Sequence, residues 1–167
     1  MSGAVTGGVG REEDAMGDRG RIALVDEFER SFLEFGDFVR ALPRDLYGEV
    51  VPGDDGTVRD ILGHVVVCGY GHVKYVAEHA GGKTDVEQRF ADPKSIDDPE
   101  TFVAAMLDVI RHARESLEGV TDEALGSRFV TGWGQDYDGE QMMEHAACHP
   151  PRHIRQIEKF LDGTLGL

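Results

Sequence analysis

The sequence predicts an all-α protein, a four-helix bundle with one long crossover between its second and third helices. Three observations carry that prediction. Four separate stretches repeat large apolar residues at three- and four-residue steps, the period of a helix that buries one face. Glycine, proline or a capping residue brackets these stretches. The polar segment 81–97 between the second and third stretches is too long for a tight hairpin and suits a chain running along a bundle. No internal repeat and no sustained strand alternation is visible.

Residues 1–20 read as a flexible glycine-rich tail. Gly3, Gly7, Gly8, Gly10, Gly17 and Gly20 raise the entropic cost of ordering it, and few large apolar groups offset that cost. Residues 21–167 then form a single domain. The first helix follows from Ile22, Val25, Phe28, Phe32, Phe35, Val39 and Leu42, and Pro43 stops it. Residues 43–56, with Pro52, Gly53, Asp54, Asp55 and Gly56, connect it to the second. Thr57 and Asp60 resemble a capping box there, and Val58, Ile61, Leu62, Val65, Val66, Val73 and Val76 supply the stripe. Gly63, Gly69 and Gly71 weaken this helix, so they point to close approach of a neighbour. Asp98-Pro99-Glu100 starts the third helix, with Phe102, Val103, Met106, Val109, Ile110, Ala113 and Leu117 on its face and Gly119 past its end. Residues 120–137 read as irregular, with Trp133 and Tyr137 as a lid over one end of the bundle. Asp138 and Gln141 then cap a fourth helix, in which Met142, Met143, Ala146, Ile154, Ile157, Phe160 and Leu161 lead to Gly163.

Composition excludes some function classes. The 167 residues carry 17 Lys+Arg against 32 Asp+Glu, a net charge of -15, which repels nucleic acid and anionic membrane surfaces. The longest nearly apolar stretch, Val65 to Val73, is too short to span a bilayer, and the N-terminus lacks a secretory pattern. Cys68 and Cys148 make no disulfide framework and read as small hydrophobes, so a reducing cytoplasmic location is expected.

The seven histidines are unevenly placed. His64, His72 and His79 fall on the second helix, His112 on the third, and His145, His149 and His153 on the fourth at four-residue steps. Residues four apart share a helix face, so two imidazoles can aim at one point, and a third from a neighbouring helix completes a set of three nitrogen ligands. Such a set leaves positions open for water or substrate, as in catalytic zinc sites, although imidazole also suits nickel, iron and copper. His64, beside Val65 and three residues after Ile61, is expected to face the bundle. His153, beside Ile154 and four residues before Ile157, is expected to do the same. Steps of four drift by about 40° each, so His145, His149 and His153 cannot all serve one ion equally. His79 and His112 read as solvated or hydrogen-bonded, and His72 as a candidate to line the same cavity as His64.

Thr57-Val-Arg-Asp-Ile-Leu-Gly-His64 resembles the segment around the first metal histidine of the DinB/YfiT-like family. His145-Ala-Ala-Cys-His149-Pro-Pro-Arg-His153-Ile-Arg-Gln156-Ile157 resembles its last-helix signature, His-x-x-x-His followed closely by Gln. The resemblance covers about residues 21 to 163. It implies a four-helix bundle with up-down-down-up topology, homodimers, and a divalent metal, zinc or nickel, held by His64, His149 and His153. It also implies thiol-dependent transfer or isomerisation with bacillithiol, mycothiol or glutathione. Pro150 and Pro151 depart from the pattern. They predict a kink or a fresh helical segment, and a kink would offer His145 in place of His149.

The expected function is therefore metal-dependent activation of a low-molecular-weight thiol, or of water, toward a small-molecule substrate; transfer ranks above hydrolysis. The alternatives are a non-catalytic bundle that binds a metal or a small ligand, and a structural dimer without metal. Arg152, Arg155 and Lys159 complement the dipole of the last helix and are candidates to grip the carboxylate of a thiol cofactor. Glu144, beside His145, is a candidate hydrogen-bond partner for a metal ligand.

Overall fold

The four apolar stripes do form four long helices. The computed structural model describes residues 18–52 and 56–165. Helix α1 spans Arg19–Ala41, α2 Val58–Ala80, α3 Pro99–Ser116, a one-turn α4 Asp122–Leu125, and α5 Gly139–Leu165. Strands β1, Arg128–Val130, and β2, Asp136–Asp138, stand between α4 and α5. The expected tail lies outside the described residues up to residue 17, as do Gly53, Asp54 and Asp55 of the first connection. Arg19 and Gly20, also expected in the tail, are helical instead.

The caps explain where the helices begin. Thr57 and Asp60 form a complete capping box on α2, and Asp98 accepts a hydrogen bond from the Thr101 amide at the start of α3. Asp138 and Gln141 bond each other's backbone at the start of α5, at 2.8 and 3.2 Å. Helix α1 has no side-chain cap of its own. Its first amides, Gly20 and Arg21, donate at 2.9 and 2.7 Å to the carboxylate of Asp122 on α4, which those bonds hold below the usual carboxylate range. Gly81, at φ 75°, ends α2 in the left-handed conformation.

One apolar core joins the helices. α1 packs on α3 and α5, and α2 packs on the same two. Phe28, Phe32, Phe35, Leu62, Phe102, Met106, Met142 and Met143 are almost wholly buried in it. Gly69 permits that packing, because a Cβ there would lie 2.7 Å from both Phe32 and Val109. Gly63 lets the crossover approach α2, since a Cβ would lie 2.9 Å from Pro93. Gly71 has nothing within 4 Å, so it does not share that role.

Residues 120–137 are more ordered than the sequence suggests. β1 and β2 pair antiparallel, with Phe129 opposite Tyr137, and Arg128 bridges to Asp136 at 2.8 Å. Strands of three residues are too short to show an alternating pattern. Trp133 lies exposed in the loop between them, edge-on to Tyr75.

The crossover is tied to α3 by polar contacts. Asp108, nearly buried, accepts hydrogen bonds from Tyr70 Oη at 2.6 Å, Arg111 Nε at 2.8 Å and the Arg89 amide at 3.1 Å. Arg111 also donates to the Glu87 carbonyl at 2.7 Å. Burial raises the Asp108 pKa, but these bonds outweigh it and hold the carboxyl below its ordinary value. His112, expected to be solvated or hydrogen-bonded, is buried edge-on against Tyr70, and burial lowers its pKa. Replacing Asp108 by Asn is expected to cost about 2–3 kcal/mol in urea unfolding, because Arg111 and the Arg89 amide lose a charged acceptor. A base with a lowered folded pKa contributes stability above its unfolded pKa and loses it as pH falls from there. Unfolding at pH 7 and pH 5 should therefore show acid destabilisation beginning near pH 6.5, with a shallower slope in His112→Phe.

Candidate metal centre

Helix α5 runs unbroken from Gly139 to Leu165, with Pro150 and Pro151 inside it. No fresh segment begins at the prolines, which corrects that expectation. Proline has no N–H, so Pro151 leaves the carbonyl four residues earlier, that of Ala147, without its helical donor. Ser31 on α1 replaces the missing donor, its buried hydroxyl donating to that carbonyl at 2.6 Å. The replacement removes the cost of a buried unpaired acceptor at this point of the helix.

His149 and His153 therefore keep the one-turn relation of an ordinary helix, with their Nε2 atoms 3.3 Å apart. His64 comes to them from α2, its ring centroid 5.1 Å from each of theirs. One ligand atom from each of the three lies within 4.8 Å of the others. His145 stays outside this cluster, packed edge-on against His72 at 5.0 Å and 6.2 Å from the His149 ring. The exchange of His145 for His149 that a kink would have offered does not occur.

His64 does not face the core, as its apolar neighbours suggested. It is exposed, whereas Ile61, Leu62, Val65 and Val66 are buried. At about 100° per residue the buried face centres near Val58, Gly69 and Val76, and His64 falls about 140° from it. The angular positions contained this result, which nearest-neighbour reasoning missed. The cluster is consequently an open one on the outer surface, beside a cavity of about 560 Å³ between α2 and α5. Arg152, Arg155, Gln156 and Lys159 line that cavity with the three histidines. On the other side of His64 a second hollow of about 620 Å³ is lined by Gly63, Val67, Pro93 and Lys94.

A family model of the DinB superfamily matches residues 27–157, a span that includes all three histidines. The chain belongs to the DinB superfamily. No curated protein and no solved structure matches it.

The donor set of this DinB chain fits a divalent cation. Two imidazole nitrogens on one tetrahedral zinc, each about 2.0–2.1 Å from it, stand about 3.3–3.4 Å apart, which is the His149–His153 separation. Gln156 Oε1 lies 2.8 Å from His153 Nδ1 and accepts its proton, leaving Nε2 as the free lone pair. Burial, then the neighbouring histidines, push the His149 pKa down to about 3, so this imidazole is neutral, as a ligand must be. His72, buried beside His145 and His149, is pushed down to about 4.

Other candidate residues have lesser places. Cys68 is half-buried, its sulfur 3.5 and 3.6 Å from the ring nitrogens of His64, and burial raises its thiol pKa. Cys148 is exposed rather than buried. Glu144 is exposed and bonds none of the three histidines, so Gln156 fills the orienting role considered for it. His79 stacks on Phe129 and bonds the Tyr75 carbonyl.

Ser31→Ala is expected to destabilise the protein by about 1–3 kcal/mol in urea unfolding. In a Pro151→Ala background the new amide can serve the Ala147 carbonyl, so the same substitution should cost markedly less. An equal cost in both backgrounds would show that the hydroxyl does not compensate for the proline.

Proposed function

We propose that the chain is a metal-dependent enzyme that activates a low-molecular-weight thiol, or water, toward a small electrophilic substrate. His64, His149 and His153 would hold the ion, zinc or nickel by the chemistry of the donor set. A bound divalent cation lowers the pKa of a thiol or water that it holds, supplying a nucleophile near neutral pH. The observation that carries this reading is the convergence of three imidazole nitrogens within 4.8 Å on an open surface. His149 takes part as a neutral donor because its partial burial and the neighbouring imidazoles lower its pKa. His153 is oriented by Gln156, and His64, being exposed, leaves an approach for the reactants.

Membership of the DinB superfamily supports thiol transfer over hydrolysis. The same reading includes up-down-down-up helix directions, pairing of two copies and a reducing cytoplasmic setting. The packing of α1 and α2 on α3 and α5 and the two free cysteines are consistent with it. No helix among the described residues is long and apolar enough to cross a membrane.

A second reading is a non-catalytic metal-binding module. It is favoured by the cavity lining, in which no carboxylate among the described residues stands ready as a general base.

Metal analysis of the purified protein should find about one divalent ion per chain, and His64→Ala and His153→Ala should each lower that content at least tenfold at limiting metal. Turnover of a thiol with an electrophile should disappear on chelation and return with metal. Turnover that survives thorough stripping overturns the mechanism. Stoichiometric metal without turnover across a thiol panel selects the binding module, and wild-type protein that takes up no metal overturns both.

A further inference from the structure

Resting on the metal reading above, we infer that the hollow between α2 and the crossover receives the apolar body of the electrophilic substrate, an uncharged alkyl chain or aromatic ring. The reactive end of that molecule reaches over His64 to the histidine cluster. His64 is exposed and lines both this hollow and the cavity on its other side, so the two spaces meet at one imidazole. The hollow encloses about 620 Å³, enough for a small molecule.

Its walls follow from the sequence. Arg59, Asp60, Gly63, His64 and Val67 fall at three- and four-residue steps and make one ridge of α2. Facing that ridge, the crossover presents Pro93 and Lys94 from a single 3-10 turn. Arg59 ties the turn to the helix, donating from Nε to the Ile96 carbonyl and from Nη2 to the Lys94 carbonyl, both at 3.2 Å. Gly63 lets Pro93 close in, since a Cβ there would lie 2.9 Å from it. Contacts within the chain therefore set the shape of the hollow before any ligand enters.

Two of its charged groups are already engaged. The Asp60 carboxylate accepts from the amide and the hydroxyl of Thr57, each at 2.8 Å, and Arg59 serves the two carbonyls. Gly63, Pro93 and Val67 supply the apolar lining, and Val67 stays 40% exposed. A single exposed valine is ordinary on a flat surface. This one lies in a concave wall beside the clustered imidazoles, where water makes poor hydrogen bonds and an apolar group gains by displacing it. Across His64 the lining is histidine, arginine, lysine and glutamine only. A reactant without charge finds its match on the Val67 side.

Cobalt(II)-loaded protein tests this through its visible absorption. The probes are acetohydroxamic, hexanohydroxamic and benzohydroxamic acid, which share one metal-binding head and differ in their apolar tails. The two larger acids should bind at least tenfold more tightly than the smallest. Val67→Asp should remove that advantage and leave the affinity for acetohydroxamic acid unchanged, which also shows that the variant folds and holds cobalt. Equal affinities in the wild type, or an advantage that survives Val67→Asp, overturn the inference while the metal reading stands. In metal-free, 13C-methyl-labelled protein, benzyl alcohol should shift the Val67 methyl signals and leave those of Leu33 and Leu107, exposed on other helices, in place. Shifts at all three residues, or none at Val67, count against the hollow as a binding site. Failure to take up cobalt overturns the metal reading, and the methyl shifts alone then decide whether the hollow takes an apolar ligand.

Discussion

A single buried hydroxyl gives a backbone partner to the helix that carries two of the three clustered histidines. Two consecutive prolines in the middle of a long helix would ordinarily break it. Ser31 reaches across from α1 and supplies the hydrogen bond that Pro151 cannot. The helix runs on through the prolines, and the two histidines on either side of the pair keep their Nε2 atoms 3.3 Å apart. Had a new segment begun at the prolines, His149 and His153 would belong to different axes, and their nitrogens would have no fixed separation. The same contact belongs to the packing of α1 on α5, so the core and the site share a fastening point.

The helices were legible because their signals are long and redundant. Each stripe repeats over several turns, and Thr57 with Asp60 and Asp138 with Gln141 mark two helix starts by residue type alone. The hairpin was not legible, because a pairing as short as Phe129 with Tyr137 leaves too few residues to show a period. The histidine triad was legible from its spacing together with the family likeness, yet its surroundings were not. His64 sits among valines in sequence and points away from them in space. The partner that orients His153 is an amide one turn ahead, not the acid beside His145. Ser31 carries no local signal, since its acceptor lies on a helix far away in sequence and acquires its need only from a proline.

Burial and charge divide the molecule's polar groups into two sets. Asp108, Tyr70 and Arg111 satisfy one another and bind the crossover to α3, so they act on the fold. Half-buried His149 and buried His72 are held neutral by burial and neighbouring imidazoles, which suits donors of lone pairs rather than carriers of charge. Around the histidines the outer shell is cationic, against the sign of the chain as a whole. That reversal occurs on α5, the same helix that contributes two of the three imidazoles.

The contact between Gly63 and Pro93 reaches further than its size suggests. Glycine at this position leaves just enough room for the crossover to rest on α2, next door in sequence to His64. A single methyl group there would wedge the loop outward and press on the neighbouring residue at once. Residue 63 is thus confined to hydrogen as its side chain by a loop remote in sequence, although it has no chemistry of its own to contribute.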